Sequence, residues 1–255
     1  MKRADIVRLI QITDCHLGSK KTFVSQGVNT YKSFLKVLND VATRCAPSLI
    51  FISGDISSSG TKSSYQLFSD AMESLFIPYR WLPGNHDDFE LMNTIIPQPF
   101  IRVEKHSNWV IISLVSGDPK KTPGLLAKNE IEELKLVLKK YQNHFILIFV
   151  HHPPVKINSK WLDEHCITNS DQLEEILSGY SNVRGIFTGH VHQERTTNWN
   201  NLLVYSSPST CYQFVSDVQH FQLSTNAPGY RWINLHSDGF MDTGVNYLKS
   251  SCMVS

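Results

Sequence analysis

Histidine, aspartate and asparagine residues are concentrated in five short segments of this 255-residue chain. The segments contain Asp14 and His16; Asp55; Asn85, His86 and Asp87; His151 and His152; and His190 and His192. Six of the eleven histidines lie in these segments. Carboxylate oxygen, amide oxygen and imidazole nitrogen are together a ligand set for Mn, Fe, Zn or Co. The joint occurrence of these residue types therefore predicts a metal site.

The spacing inside two segments also favours a shared site. Residues i and i+2 of an extended segment point the same way. Asp14 and His16 can therefore aim at one point, and His190 and His192 can do the same. Cys15 lies between two ligand candidates, and the same alternation predicts that it turns away and packs in the core.

Each segment directly follows a predicted β-strand. These strands are residues 7–13, 49–53, 79–83, 145–150 and 184–188. Ligands of α/β sheets bind at the carboxyl ends of strands, so five strand ends would deliver polar side chains to one rim. Glycine at positions 54, 84 and 189 permits tight turns and close backbone approach beside three of the candidates.

The remaining elements alternate with these strands. Further strands are predicted at 109–115, 202–206 and 230–235, and apolar residues at helical spacing predict two helices in the first half. Their faces are Phe34, Val37, Leu38, Val41 and Cys45, and Tyr65, Phe68, Met72 and Leu75. Capping boxes predict a helix that begins at Asn129, with Glu132, and another near Asn169, with Gln172. The order βαβαβ, followed by a strand-rich half, indicates an α/β domain with the sheet inside.

Bulk composition limits the class of protein. The chain has 24 basic and 23 acidic residues, and this balance argues against a nucleic-acid binder. Its five cysteines show no CxxC spacing, which is typical of free thiols in a reducing compartment. No apolar run suits a signal peptide or a membrane span, so we expect a cytoplasmic protein without membrane contact. We expect residues 1–255 to form one domain, as a monomer or a homodimer.

The motifs DxH, GD, GNHD, HxP and GHxH, in this order, resemble those of the calcineurin-like metallophosphoesterase superfamily. The resemblance implies a four-layer α/β/β/α sandwich with two divalent metal ions. The expected ions are Fe²⁺, Mn²⁺ or both, with Co²⁺ or Zn²⁺ as alternatives. It implies two ligand sets that share one residue: Asp14, His16, Asp55 and His192 for the first ion, and Asp55, Asn85, His151 and His190 for the second. His152 would lie behind these ligands.

Segments between the motifs are similar to those of bacterial class III 3′,5′-cyclic AMP phosphodiesterases. They are residues 9–16, 27–30, 81–87, 161–165, 189–194, 208–211 and 227–231. This narrower resemblance implies hydrolysis of cyclic AMP to 5′-AMP by a metal-activated hydroxide. The substrate would contact His16, Asp55, Asn85, His86 and His192.

Two further side chains have predicted catalytic roles. His86, next to the ligand candidate Asn85, would stabilise or protonate the leaving ribose oxygen. Asp87 would orient the His86 ring and raise its basicity. The other histidines, at 106, 144, 165, 220 and 236, are assigned structural roles.

Several alternatives stay open at this level. Tyr212 or Phe214 could stack on adenine, although a core position is slightly favoured for both. The same site could cleave another phosphoester, such as a glycerophosphodiester, an aryl phosphodiester or a nucleotide. A catalytically inactive scaffold on this fold is a remote alternative, because all seven ligand positions are filled.

Overall fold

A computed structural model describes residues 6–118 and 121–249 of the chain. The strands are β1 (Val7–Ile12), β2 (Val24–Ser25), β3 (Val28–Asn29), β4 (Leu49–Ser53), β5 (Tyr79–Leu82), β6 (Val103–His106), β7 (Trp109–Leu114), β8 (Phe145–Val150), β9 (Val183–Thr188), β10 (Arg195–Trp199), β11 (Leu202–Ser206), β12 (Gln213–Phe214), β13 (Leu223–Ser224), β14 (Gly229–Leu235) and β15 (Met241–Tyr247). The helices are α1 (Thr30–Arg44), α2 (Lys62–Glu73), α3 (Phe89–Ile95), α4 (Lys128–Lys140), α5 (Lys160–Asp163) and α6 (Ser170–Leu177).

Two mixed sheets carry most of the strands. The first has the order β15-β14-β1-β4-β5, and the second has the order β10-β11-β9-β8-β7-β6. Within the first sheet β1, β4 and β5 are parallel, and β7, β8, β9 and β11 are parallel within the second. Antiparallel strands flank these parallel blocks. The carboxyl ends of the parallel strands in each sheet therefore share one edge.

Three apolar clusters separate the layers. The central cluster joins the two sheets through side chains that include Leu9, Phe51, Phe149, Phe187 and Ile233, with the Phe51 and Phe149 rings stacked at 3.9 Å. A second cluster packs α1, α2 and α3 on the outer face of the first sheet, and a third packs α4 and α6 on the second. These contacts confirm the predicted four-layer α/β/β/α sandwich.

The predicted helical faces of α1 and α2 are buried. Phe34, Val37 and Val41 of α1 are fully covered, as are Phe68 and Met72 of α2. Side chains just before each helix cap its first turn: the Asn29 carboxamide accepts from Lys32 N, and the Thr61 hydroxyl accepts from Ser64 N. Hydrophobic periodicity alone was thus sufficient to locate both helices.

The predicted start of α4 is wrong. The helix begins at Lys128 after Ala127, and no side chain caps it, so the Asn129 and Glu132 capping box does not form. Near the start Glu130 is buried, and it pairs with Arg102 while it accepts from Val115 N at 2.9 Å. Tertiary contacts of the first turn therefore replace the local cap. For α6, Asn169 is the residue before the helix as predicted, but its side chain bonds to the backbone of Leu126 instead.

Among the helices in the described ranges, not one combines the length and apolarity that a membrane span requires.

Candidate functional site

The five polar segments converge where β1, β4, β5, β8 and β9 end. Four groups of side chains have donor atoms that lie within 4.8 Å of one another. The groups are Asp14, His16 and His192; Asp14, Asp55 and His151; His16, Asp55 and His86; and His151, His152 and His190. Asn85 joins them, because its Oδ1 lies 3.1 Å from His190 Nδ1. The structure thus brings all seven predicted ligands into one connected, largely buried cluster.

Backbone geometry at these residues differs from the expectation. Positive φ angles occur at Asp14 (53°), His16 (44°), Asp55 (50°), His190 (67°) and His192 (46°). Left-handed backbone is uncommon outside glycine and is held in place by its surroundings, often at functional sites. The explanation that two extended segments aim alternate side chains at one point is therefore wrong; left-handed turns produce the convergence.

Close approach of the segments accounts for all three predicted glycines, since a Cβ on Gly84 would run into the Asp55 carboxylate. Gly54 has a φ of +99°, and a Cβ there would run into the His151 ring. A Cβ on Gly189 would run into the Thr13 hydroxyl and lie 2.8 Å from the Asp14 carboxylate. The predicted need for close backbone approach is confirmed at all three positions.

Backbone carbonyls orient two of the candidate imidazoles. His151 Nδ1 lies 2.8 Å from Ser53 O, and His192 Nδ1 lies 2.8 Å from Tyr212 O. A carbonyl oxygen only accepts, so each Nδ1 carries the proton and donates it. In the neutral ring Nε2 then presents a lone pair, as in metal-bound histidines whose other nitrogen donates to a carbonyl.

The lone pairs face other electron-rich atoms. His151 Nε2 is 3.3 Å from Asp55 Oδ2, and His192 Nε2 is 3.1 Å from His16 Nε2 and 3.4 Å from Asp14 Oδ1. Acceptors this close need a proton or a cation between them. The cluster therefore fits positively charged ions held by nitrogen and oxygen.

Two buried ring nitrogens support the same fit. The Nε2 atoms of His151 and His190 are buried and have no hydrogen-bond partner within the described part of the chain. A buried polar atom without a partner is costly, and a ligated ion removes that cost. The groups found among residues 6–118 and 121–249 contain no cysteine. Cys15 is buried in the outer core of the first sheet, as predicted.

Electrostatics of the cluster favour added positive charge. Burial alone would raise the pKa of the Asp55 carboxyl, but the neighbouring imidazoles of His151 and His16 hold it well below its ordinary value. Burial alone would lower the pKa of His151, yet the carboxylates of Asp55 and Asp14 raise it to about 9. The same carboxylate field that holds a proton on His151 would attract a divalent cation.

Asp55 lies between the two predicted ligand sets. Its Oδ2 is 3.8 Å from His16 Nε2 and 3.3 Å from His151 Nε2, while Oδ1 accepts the His86 backbone N–H at 2.9 Å. One carboxylate thus contacts both halves of the cluster and also fixes the following loop. This placement is what a bridging ligand requires.

His86 lies at the open side of the cluster. Its ring is 4.9 Å from that of His16, and its Nδ1 lies 3.0 Å from Ser58 O. A cavity of about 260 Å³ opens beside it, lined by Ser59, Gly60, Asn85, His86, Asp87 and Asp88. Because Ser58 O accepts from Nδ1, only Nε2 remains for a substrate.

The predicted contact between Asp87 and the His86 ring is wrong. The Asp87 carboxylate is buried and accepts instead from the backbone N–H groups of Ile56, Ser57 and Gly84 and from the Tyr65 hydroxyl. Burial raises the pKa of Asp87 to about 6, with a further contribution from Asp55, while the backbone N–H groups that it accepts from favour the carboxylate. Asp87 therefore joins the loops after β4 and β5 and acts on His86 only through the backbone. Nothing in the sequence pattern pointed to Tyr65, whose ring belongs to the buried face of α2.

Removing the Asp87 carboxylate should destabilise the fold. We expect Asp87→Ala to cost about 3 kcal/mol or more, because three buried N–H groups lose their acceptor. That loss corresponds to a fall in Tm of about 6–12 °C for a chain of this size. Tyr65→Phe is the graded control, since it keeps the carboxylate and removes one donor to it together with the acceptor of the Asp88 N–H. Thermal unfolding in chelator measures both variants, and an Asp87→Ala protein as stable as wild type would refute the role.

His152 is occupied by other contacts. Its Nδ1 lies 2.9 Å from the Ser116 hydroxyl, and its Nε2 lies 3.1 Å from Thr122 O. Neither nitrogen is left for an ion. His165, which the sequence assigned to structure, lies beside the cluster with its ring 5.6 Å from that of His190. The resemblance of segment 161–165 to class III phosphodiesterases was the sequence signal that could have placed His165 near the site.

A buried polar network lies beneath the cluster and links the two sheets. The Arg231 guanidinium donates to the Ser207 hydroxyl, which donates to Gln11 Oε1. Gln11 Nε2 in turn donates to Ser53 Oγ at 2.8 Å and to Thr188 O at 3.0 Å. Ser53 and Thr188 are the last residues of β4 and β9, so the network holds together the strand ends that carry Asp55 and His190.

Tyr212 and Phe214 both contact candidate ligands. The Tyr212 ring stacks on His16 at 5.8 Å and 15°, and the Phe214 ring stacks on His192 at 4.4 Å and 18°. Both rings are half-buried. They are neither purely core residues nor free surface residues, which is why sequence alone left the choice open.

A four-layer sandwich with a buried His, Asp and Asn cluster at its strand ends defines the class of metal-dependent hydrolases. The calcineurin-like phosphoesterase profile matches residues 7–194, and the chain belongs to this family. Membership implies a dinuclear site for divalent metal ions, with the clustered His and Asp residues as candidate ligands.

Curated relatives extend over nearly the whole chain. A Haemophilus influenzae protein named 3′,5′-cyclic adenosine monophosphate phosphodiesterase CpdA is 35% identical, covering 96% of this chain and 92% of its own. A Nostoc sp. protein named 3′,5′-cyclic-nucleotide phosphodiesterase alr5338 is 35% identical over 96% of this chain and 94% of its own. An Escherichia coli protein of the same name, CpdA, is 34% identical, covering 96% of this chain and 91% of its own.

Solved structures share the fold at low identity. A dimetal phosphatase from Danio rerio is similar with a TM-score of 0.65 at 12% identity, covering 90% of this chain and 96% of its own. GAP50 of Plasmodium, titled the anchor in the inner membrane complex, has a TM-score of 0.68 at 11% identity, covering 97% and 86%. One fold thus serves a phosphatase and an anchor protein, so the likeness to solved structures establishes the fold alone.

Proposed function

We propose that this chain hydrolyses 3′,5′-cyclic AMP to 5′-AMP. The observation that carries the proposal is 35% identity to a cyclic AMP phosphodiesterase over 96% of the chain. Convergence of all seven ligand candidates supports it, because an inactive relative would be free to lose them. Residues between the motifs, which the superfamily does not require, support the cyclic nucleotide as substrate.

The candidate ligands would form two metal-binding positions. Proposed ligands are Asp14, His16, Asp55 and His192 for one ion, and Asp55, Asn85, His151 and His190 for the other, with Asp55 shared. Bound divalent ions would supply a nucleophilic water at neutral pH and neutralise charge on the phosphoryl oxygens. Substrate would contact His16, Asp55, Asn85, His86 and His192.

His86 is the proposed proton donor. Hydrolysis joins a water oxygen to phosphorus and breaks the bond from phosphorus to the ribose 3′ oxygen, which then needs a proton. With Nδ1–H held by Ser58 O, the protonated ring has one free donor, Nε2–H, on the side of the open cavity. The His86 backbone N–H, bound to Asp55, fixes the residue beside the ligand that both ions would share.

Fe²⁺ or Mn²⁺ is the proposed metal, with Co²⁺ or Zn²⁺ as alternatives, because a set of nitrogen and oxygen ligands accepts each of them. A reducing, cytoplasmic environment is proposed from the thiols: the four cysteines in the described ranges are free. Residues 1–255 are proposed to act as one domain, because the central cluster draws side chains from both sheets.

Broader phosphodiesterase or phosphatase activity is the second candidate. A metal cluster held by these residues would bind the phosphoryl group and contact no particular organic group, and this favours a wider range. A substrate panel separates the candidates: cyclic AMP, cyclic GMP and bis(p-nitrophenyl) phosphate.

Metal dependence tests the proposal. Protein purified without added metal and treated with chelator should be inactive, and added Mn²⁺ or Fe²⁺ should restore turnover of cyclic AMP. Cyclic AMP should be the best substrate of the panel by kcat/KM. Turnover of the aryl diester without cyclic AMP would favour the broader activity. Absence of any turnover in a protein that holds two ions would favour the scaffold.

A further inference from the structure

Three aromatic rings form a continuous surface beside the ligand cluster. We call Trp161, Phe214 and Phe221 the aromatic shelf. Trp161 contacts Phe214 at 4.9 Å and Phe221 at 5.4 Å, and Phe214 contacts Phe221 at 5.4 Å, all edge to face. Each ring therefore touches the other two. Edge-to-face packing of this kind holds rings in fixed orientations.

The shelf begins at the candidate metal ligands. On one side the Phe214 ring is stacked on His192. On the other side His165 links the shelf to the cluster, with its ring 6.4 Å from Trp161 and 5.6 Å from His190. His192 of the GHxH motif thus contacts the shelf directly, and His190 is one ring away from it, through His165. A ligand whose phosphate lies on the cluster would extend its organic part onto these rings.

Core packing accounts for only part of the shelf. Ile157, Leu162 and Val191 form a small buried core, and Trp161 and Phe214 pack against it. Phe221 is not part of that core, and half of its surface (50%) is exposed. The exposed half of the Phe221 ring is therefore available to a planar group of a ligand, while its other half packs against Trp161 and Phe214.

The chemistry of the two surfaces defines the ligand. The cluster would bind a phosphoryl group, and the shelf offers flat apolar faces at its border. A molecule that matches both has a phosphate joined through a short sugar to a planar base. Base stacking on aromatic side chains is tolerant of sequence because every base has a π-face.

We propose that the aromatic shelf is the nucleobase subsite, and that stacking on Phe221 gives this enzyme its preference for nucleotides over base-free phosphoesters. The inference deepens the proposed function and rests on it, since it names which part of the chain recognises the base. Trp161 and Phe214 position the Phe221 ring, and Phe221 makes the contact.

A pair of product inhibitors isolates the base from the phosphate. With Mn²⁺-loaded enzyme and bis(p-nitrophenyl) phosphate as reporter, the inhibition constants of 5′-AMP and ribose 5-phosphate are compared. Phe221→Ala should weaken 5′-AMP about thirtyfold, the middle of the range for one stacked base, and leave ribose 5-phosphate unchanged. KM for cyclic AMP should rise by a similar factor, with kcat little affected. Phe221→Tyr should restore both values.

Phe240 supplies the matched control. It is exposed to a similar degree, at 59%, and follows Gly239, which lies against Phe145 at the start of β8, the edge opposite the cluster. Phe240→Ala should change neither inhibitor. Phe221→Leu keeps an apolar side chain without a π-face and should resemble Phe221→Ala even if alanine disturbs the loop.

Two results would overturn the shelf proposal: unchanged 5′-AMP inhibition in Phe221→Ala, or equal weakening of 5′-AMP and ribose 5-phosphate. Failure of the proposed function is a separate outcome, seen as wild-type protein that cleaves the reporter and not cyclic AMP. The inhibitor comparison still tests base binding by the shelf in that case, because it does not depend on cyclic AMP turnover.

Discussion

His86→Ala is expected to lower kcat for cyclic AMP by about 10²–10⁴-fold, the usual contribution of a general acid, while both metal ions remain bound. The ring holds Ser58 O through Nδ1 and contacts the cluster only at its open side, so its removal takes no atom from the seven proposed ligands. Its backbone N–H, which Asp55 accepts, is kept by alanine. Kinetics and metal analysis of the same preparation measure the two effects.

A change of leaving group sharpens this test. The p-nitrophenolate ion leaves without a proton, whereas the ribose alkoxide does not. His86→Ala should therefore lose far less activity on bis(p-nitrophenyl) phosphate than on cyclic AMP. His106→Ala is the matched control, because His106 lies on the edge strand β6 beside Glu104. Equal losses on both substrates, or a loss of metal, would exclude the proton-donor role.

Asp55→Asn is expected to release both ions and to lower activity by more than about 100-fold. Residues that only support a metal ligand already cost 10–100-fold when they are lost, and Asp55 is the proposed ligand of both ions. Its Oδ2 contacts His16 and His151 on either side of the cluster, so a neutral amide removes attraction at both positions. Mass spectrometry of metal content and Mn²⁺-dependent thermal shifts report binding without reference to turnover.

The control for charge alone is Asp242→Asn. Asp242 of β15 pairs with His236, which follows β14 at the end of the sheet away from the cluster, and its removal should leave both ions in place. Retention of two ions by Asp55→Asn would contradict the shared ligand. Loss of one ion only would mean that Asp55 serves a single position.

The buried strands were predictable because both of their faces are covered. Leu49–Ser53 and Phe145–Val150 match the expected bounds, and apolar runs of this kind have few alternatives. The edge strands Val103–His106, Arg195–Trp199 and Met241–Tyr247 were not found. Their residues are half-exposed and mixed in polarity, and only pairing with a distant strand makes them extended.

The cluster was predictable as a set of residues but not in its geometry. Asp14 and Asp55 follow β1 and β4, which are parallel neighbours in one sheet, so the sheet topology brings the two residues together. Left-handed backbone at both residues depends on contacts between segments far apart in the chain, and no local pattern encodes it. The role of Asp87 was mistaken for the same reason: its partners are backbone groups around Ile56 and Gly84, which sequence cannot bring to it.

The roles of aromatic residues were the hardest to predict from the sequence. Phe221 carried no motif, and its importance rests on contacts with Trp161 and Phe214 that form only in the folded chain. The start of α4 also depends on contacts that form only in the folded chain. Burial of Glu130 against Arg102 overrides the capping pattern of the neighbouring residues.

The fate of the water oxygen tests the central claim most directly. Metal-loaded enzyme is incubated with cyclic AMP in H₂¹⁸O, and the nucleotide product is separated and weighed by mass spectrometry. We expect 5′-AMP with one ¹⁸O atom on its phosphate, since in the proposed reaction water attacks phosphorus and the 3′ oxygen leaves. Formation of 3′-AMP, or recovery of unchanged cyclic AMP from protein that holds two ions, would contradict it.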